Sequence, residues 1–138
     1  MPSATSAPLW ALTGAVAAGG ALGAAARYGL TLAWPPPVAG MSWTVLAINV
    51  TGSLLIGVLV EVLAHRIPRN PWVRPFLGTG FLGGYTTFSA YAMDVVTALE
   101  RGAPETALAH LSLTLAGALV AAWAASALTH RILQGGDP

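Results

Sequence analysis

GTGFLGGYTTFSAY, residues Gly78 to Tyr91, lies in the middle of an apolar stretch long enough to cross a bilayer. Glycines stand at 78, 80, 83 and 84, with hydroxyl residues between and after them, and this composition makes a poor membrane helix. In hydrocarbon a loosened backbone survives only where protein or a water-filled cavity supplies partners for its polar groups. Interrupted spans of this kind build ion or substrate sites from freed carbonyls. The segment therefore points to a protein whose working part sits inside a bilayer.

The rest of the chain agrees. Its 138 residues are 55% hydrophobic and 8% charged, with mean hydropathy +0.68. A soluble domain carries about 25% charged residues. A net charge of +1 argues against a nucleic-acid partner. With no cysteine, disulfides and thiolate metal sites are excluded. The opening MPSATSAPLW has no basic region and does not resemble a cleaved signal peptide.

Four stretches reach the roughly 20 residues that a transbilayer helix needs: about 9–33, 42–64, 73–99 and 104–131. Pro8, Pro75 and Pro104 stand near their starts, where a missing N–H costs little, and Trp34-Pro35-Pro36-Pro37 closes the first. The connections are short, so neighbouring helices should run antiparallel. The expected fold is all-α: one transmembrane domain over residues 1–138, four helices, the third broken at its glycines.

Gly19 and Gly23 form a GxxxG pair, and Ser53 with Gly57 repeats the spacing. Such patterns let helix backbones approach closely in lipid, either within the chain or between two copies of it. Arg66, Arg69, Arg74 and Arg131 fall on one expected side, against Arg27 and Arg101 on the other. The positive-inside rule then favours cytoplasmic termini, by a modest margin.

Polar groups inside spans are functional candidates. Arg27 either snorkels to the headgroups or sets a positive charge in an aqueous vestibule. Glu61 and Asp94 lie within a turn or two of helix ends, where interfacial or paired carboxylates are common. Asn49, midway along the second helix, either bonds a neighbouring helix or points its NH2 donors at an anion. Ser53 shares its face. His110 and Thr114 are i and i+4 and form a polar stripe continued by Ala118. Phe88 and Tyr91, at i and i+3, either pack or present positive ring edges to an anion. Thr86, Thr87 and Ser89 add hydroxyls nearby.

Gly78-x-Gly80-x-x-Gly83 matches a dinucleotide fingerprint, but that motif needs a preceding strand and a βαβ unit. No Ser-His-Asp or HExxH arrangement is present, so an enzyme is not supported.

GGALGAAARYG (Gly19 to Gly29), NVTGSLLIG (Asn49 to Gly57) and GFLGGYTTFSAYAMD (Gly80 to Asp94), in this order across the spans, resemble the Fluc (CrcB) family of microbial fluoride channels. The resemblance implies an antiparallel, dual-topology homodimer of four-helix subunits in the cell (inner or plasma) membrane. Two narrow pores would let fluoride leave passively and give fluoride resistance. It also implies a structural Na+ at the dimer centre, held by carbonyls of Gly83 and Thr86 from both subunits.

Carried over residue by residue, Asn49 resembles the family's fluoride-donating asparagine, Phe88 its first pore aromatic and Arg27 its vestibule arginine. Tyr91 stands where a second phenylalanine is common. His110 stands where tyrosine is common, and Thr114 where serine is common. Thr87 and Ser89 join the same implied pore.

Two other readings compete. A small dual-topology proton-coupled drug exporter needs an embedded carboxylate in its cavity, yet the first helix has no Asp or Glu. A non-transporting scaffold subunit would explain the small-residue faces but not the Gly83–Ser89 break or an amide at Asn49.

Overall fold

The computed structural model describes residues 7–37, 40–68 and 70–135, and all regular structure among them is helical. Helix α1 (Leu9–Ala33) starts directly after Pro8 and stops at Trp34, ahead of three prolines that cannot continue it. Helix α2 (Trp43–His65) is capped by Ser42, whose Oγ accepts from Val45 N at 3.4 Å. Asn70 Oδ1 then accepts from Trp72 N (2.9 Å) and Val73 N (3.2 Å), a side-chain turn that launches the next segment.

That segment is not one regular rod. Arg74–Leu82 is π-helical, α3 (Gly83–Tyr85) is a single α turn, and Thr86 and Thr87 are extended. Helix α4 (Phe88–Glu100) restarts with Thr87 as its cap, Oγ1 accepting from Ala90 N at 3.1 Å. Gly102, at φ +70°, makes the left-handed turn into α5 (Pro104–Gln134). π-helical turns are rare and cluster at functional sites, and this one takes in Gly78 and Gly80.

Helices α1, α2 and α5 are each long and apolar enough to cross a membrane. This is a membrane protein, with large apolar side chains such as Leu9, Trp10, Leu119 and Trp123 facing outward. At 31 residues α5 is about 46 Å long, so its ends project beyond the roughly 30 Å hydrocarbon layer. Arg69, counted above toward orientation, lies outside the described residues.

Two helix seams organise the chain: α2 against α5, and α1 against the π-helical segment with α3. The second is backbone on backbone. A Cβ at Gly19 would strike the Phe76 carbonyl, and one at Gly23 the Phe81 carbonyl. From the facing side, a Cβ at Gly80 would come within 2.7 Å of Val16 O. The GxxxG pair therefore packs inside the chain, against its own interrupted segment. Gly57 does likewise on α2, its missing Cβ occupied by the Ala122 carbonyl of α5.

Candidate functional site

A cavity of about 270 Å³ opens where α2, the Thr86–Thr87 break, α4 and α5 meet. Its lining is Asn49, Ser53, Thr86, Thr87, Phe88, Tyr91, Thr114, Leu115 and Ala118. These residues come from four elements, and the break brings them together. An unbroken helix through residues 83–90 would have directed the Thr87 polar groups into its own backbone ladder.

Asn49 clasps the break. Its Nδ2 donates to Thr87 O at 3.0 Å, and Thr87 N donates to its Oδ1 at 2.9 Å. One amide side chain thus satisfies both backbone polar groups of a residue that is 8% exposed. The second N–H of Nδ2 is left over from this pair. The Thr87 hydroxyl caps α4 and lies 3.3 Å from Ser89 Oγ.

The same rearrangement frees two carbonyls. In a continuous helix Thr87 N would bond to Gly83 O, but here it goes to Asn49. Ala90 N would bond to Thr86 O, but it goes to Thr87 Oγ1. Both oxygens have lost these i+4 donors. Carbonyl oxygens are hard ligands of the kind that suit a hard cation such as Na+.

The aromatic residues adjoin. Phe88 and Tyr91 have ring centroids 5.8 Å apart, tilted by 58°. Phe88 is 79% exposed on the outer side of the chain. The Tyr91 hydroxyl donates to Leu111 O at 3.1 Å, so its proton is directed at α5 rather than into the cavity. Its ring stacks on His110 at 5.7 Å.

His110 (2% exposed) and Thr114 (4% exposed) are nearly sealed. Among the described residues, neither His110 nitrogen nor Thr114 Oγ1 has a hydrogen-bond partner. His110 Nε2 is 3.6 Å from Asp94 Oδ2, too long for a hydrogen bond. Buried polar atoms are ordinarily hydrogen-bonded, to protein or to ordered water. Asp94 also borders a hollow of about 470 Å³ shared with Ser42 and Arg101.

Arg27 stands behind the break, not in the cavity. Its Nε donates to Gly84 O at 3.2 Å, tying α1 to α3. Of the residues singled out from sequence, Asn49, Thr86, Thr87, Phe88, Tyr91 and Thr114 line one cavity. Ser89 and His110 adjoin it, and Arg27 and Gly83 lie apart. Sequence reasoning did not find the Asn49–Thr87 clasp or the approach of Asp94 to His110. A mid-helix amide signals that some partner exists, but not which residue 38 positions away supplies it.

A family model described as "CrcB-like protein, Camphor Resistance (CrcB)" matches residues 14–126. The chain is 45% identical over 130 residues to "Fluoride-specific ion channel FluC 1" of Streptomyces coelicolor, covering 94% of this chain and 82% of that one. It is 48% identical over 125 residues to "Fluoride-specific ion channel FluC 2" of Thermobifida fusca, covering 91% and 93%. Against "Fluoride-specific ion channel FluC" of Rhizobium meliloti it is 44% identical over 115 residues, covering 82% and 91%.

Proposed function

The chain belongs to the CrcB-like family, and on that footing we propose that it is a fluoride-selective channel through which the ion leaves the cell passively. It is not an enzyme. The observation that carries this reading is the cavity at the break, whose lining includes Asn49, Ser53, Thr86, Thr87, Phe88, Tyr91 and Thr114. Fluoride is small and tightly hydrated, and an unpaired buried ion costs tens of kcal/mol in a Born estimate. A conducting site must replace water with donors that hold the ion without trapping it. On this reading the second Asn49 N–H, the Thr87 and Thr114 hydroxyls and the ring edges of Phe88 and Tyr91 would supply weak donors of that kind, since all five residues line the cavity. His110 and Ser89 extend this track.

The interrupted run from Arg74 to Glu100 acts as one broken third span of a four-span subunit. Two such subunits pair antiparallel in the cell membrane. The exposure of Phe88 supports pairing, because a second copy would wall the side that one chain leaves open. Gly83 and Thr86 carbonyls from both copies would hold a structural Na+, whose positive charge ties the two breaks together. Arg27, anchored on Gly84 O, supplies positive potential near the approach.

The direct test is efflux from proteoliposomes read with a fluoride electrode, with chloride as the control ion. Rapid fluoride loss with chloride retained is expected. Chloride leaving as fast as fluoride would refute selectivity, and no efflux from intact reconstituted protein would refute the channel.

A further inference from the structure

A second polar cluster lies at the far end of the α2–α5 seam. Glu61, one turn before the end of α2, faces His65 on its own helix and His130 near the end of α5. Glu61 Oε2 is 3.0 Å from His130 Nδ1 and 3.6 Å from His65 Nδ1. Its other oxygen accepts from Ser126 Oγ at 2.6 Å. The two imidazoles meet edge to face, centroids 5.2 Å apart. One ligand-capable atom from each of Glu61, His65 and His130 lies within 4.8 Å of the others.

We propose that Glu61, His65 and His130 bind a divalent transition-metal ion of the zinc class. Two imidazoles and one carboxylate suit zinc, cobalt or nickel, and disfavour magnesium or calcium, which prefer all-oxygen shells. Three protein ligands with a water in the fourth position is a familiar zinc arrangement. Zinc–nitrogen bonds of about 2.0–2.1 Å place tetrahedral ligands about 3.3 Å apart, so atoms that lie within 4.8 Å of one another must draw closer on binding. The i, i+4 spacing of Glu61 and His65 sets both on one face of α2. Ser126 Oγ holds the Glu61 carboxylate at 2.6 Å. Contacts of this kind orient metal ligands from outside the coordination shell.

The cluster is separate from the cavity at the break. Glu61 is about 18 Å along α2 from Asn49. Between them Gly57 lies flush against the Ala122 backbone and closes the seam. His65 and His130 are partly exposed near helix ends, so an ion can reach them from water. The proposal does not depend on fluoride conduction.

The test uses tag-free full-length protein in detergent micelles, titrated with Co2+ and followed by visible absorption, with Zn2+ as competitor. One Co2+ per chain with an intense four-coordinate band, displaced by Zn2+, is expected. His65→Gln and His130→Gln should each abolish the band, and Ser126→Ala should weaken binding by about 10- to 100-fold. Elution volume and helical circular dichroism report whether each variant is folded. A zinc-edge X-ray absorption spectrum of the wild-type protein needs no variant and should show imidazole scattering. Absence of binding at millimolar metal, an all-oxygen shell, or a folded His130→Gln that binds like wild type overturns the proposal and leaves a hydrogen-bonded network only.

Discussion

Replacing Asn49 by alanine challenges the break and the pathway at once. The amide holds both backbone polar groups of Thr87, at 3.0 and 2.9 Å, and Thr87 is 8% exposed. A buried polar group stripped of its partner costs about 1–3 kcal/mol. With two groups stranded, the break loses about 2–6 kcal/mol. At 1.4 kcal/mol per tenfold, transient opening at the Thr87 amide should rise roughly 30-fold or more. Asn49→Asp separates the contributions. It keeps an acceptor for Thr87 N–H but sets an oxygen against the Thr87 carbonyl, so one group is stranded instead of two. Hydrogen exchange in micelles should therefore rank Thr87 protection as wild type, then Asp, then Ala. Each variant also removes the N–H available to an anion. A hydrogen bond to a charged group contributes about 1.5–3 kcal/mol, so fluoride efflux should fall by about 10- to 100-fold in both. Wild-type exchange at Thr87, together with efflux within twofold of wild type in Asn49→Ala, would refute the reasoning.

The remaining predictions concern packing, the tyrosine and sodium. Gly23→Ala places a methyl against the Phe81 carbonyl and 2.8 Å from Tyr85 N, so thermal melting should show a loss of about 1–3 kcal/mol or more. Gly29→Ala, on the same helix with nothing within 4 Å, should be neutral or gain up to about 1 kcal/mol. Tyr91→Phe removes the bond to Leu111 O but keeps the ring, so fluoride efflux should stay within about twofold and stability should fall by about 1 kcal/mol. A collapse of flux would show that the hydroxyl itself contacts the ion. Exchange of Na+ for a large organic cation should weaken association between copies, read as a shift to monomer in single-molecule or crosslinking assays; unchanged association would remove sodium from the Gly83 and Thr86 carbonyls.

Local chemistry made some of this molecule legible and left other parts hidden. Pro8 and the prolines after Trp34 bound α1 as their missing N–H groups require. The glycines at 78–84 signalled a backbone that would not form an ordinary rod, although not that its first half would widen into a π-helical turn. Gly19 and Gly23 announced a close approach without naming the partner, because spacing on one helix carries no address. Asn49 announced a bond, and its partner Thr87 follows only from the packing of α2 on the break. Glu61 and His65 are neighbours by helical periodicity, but His130 joins them from 69 positions away, through the α2–α5 seam. Interactions within a helical turn can be read directly; those that depend on which faces meet need the three-dimensional arrangement.

Where α1 meets the π-helical segment, main chain touches main chain and no rotamers stand between them. Such a joint has nothing soft to yield: a slide of even part of an ångström drives carbonyl oxygens into α-carbons. Across from it, α4 meets α5 through side chains, as where Tyr91 lies on His110 and bonds to Leu111 O. A drug or antibody fragment meant to jam this protein should therefore do more on the α4 flank, where side chains can repack, than on α1, where backbone already meets backbone.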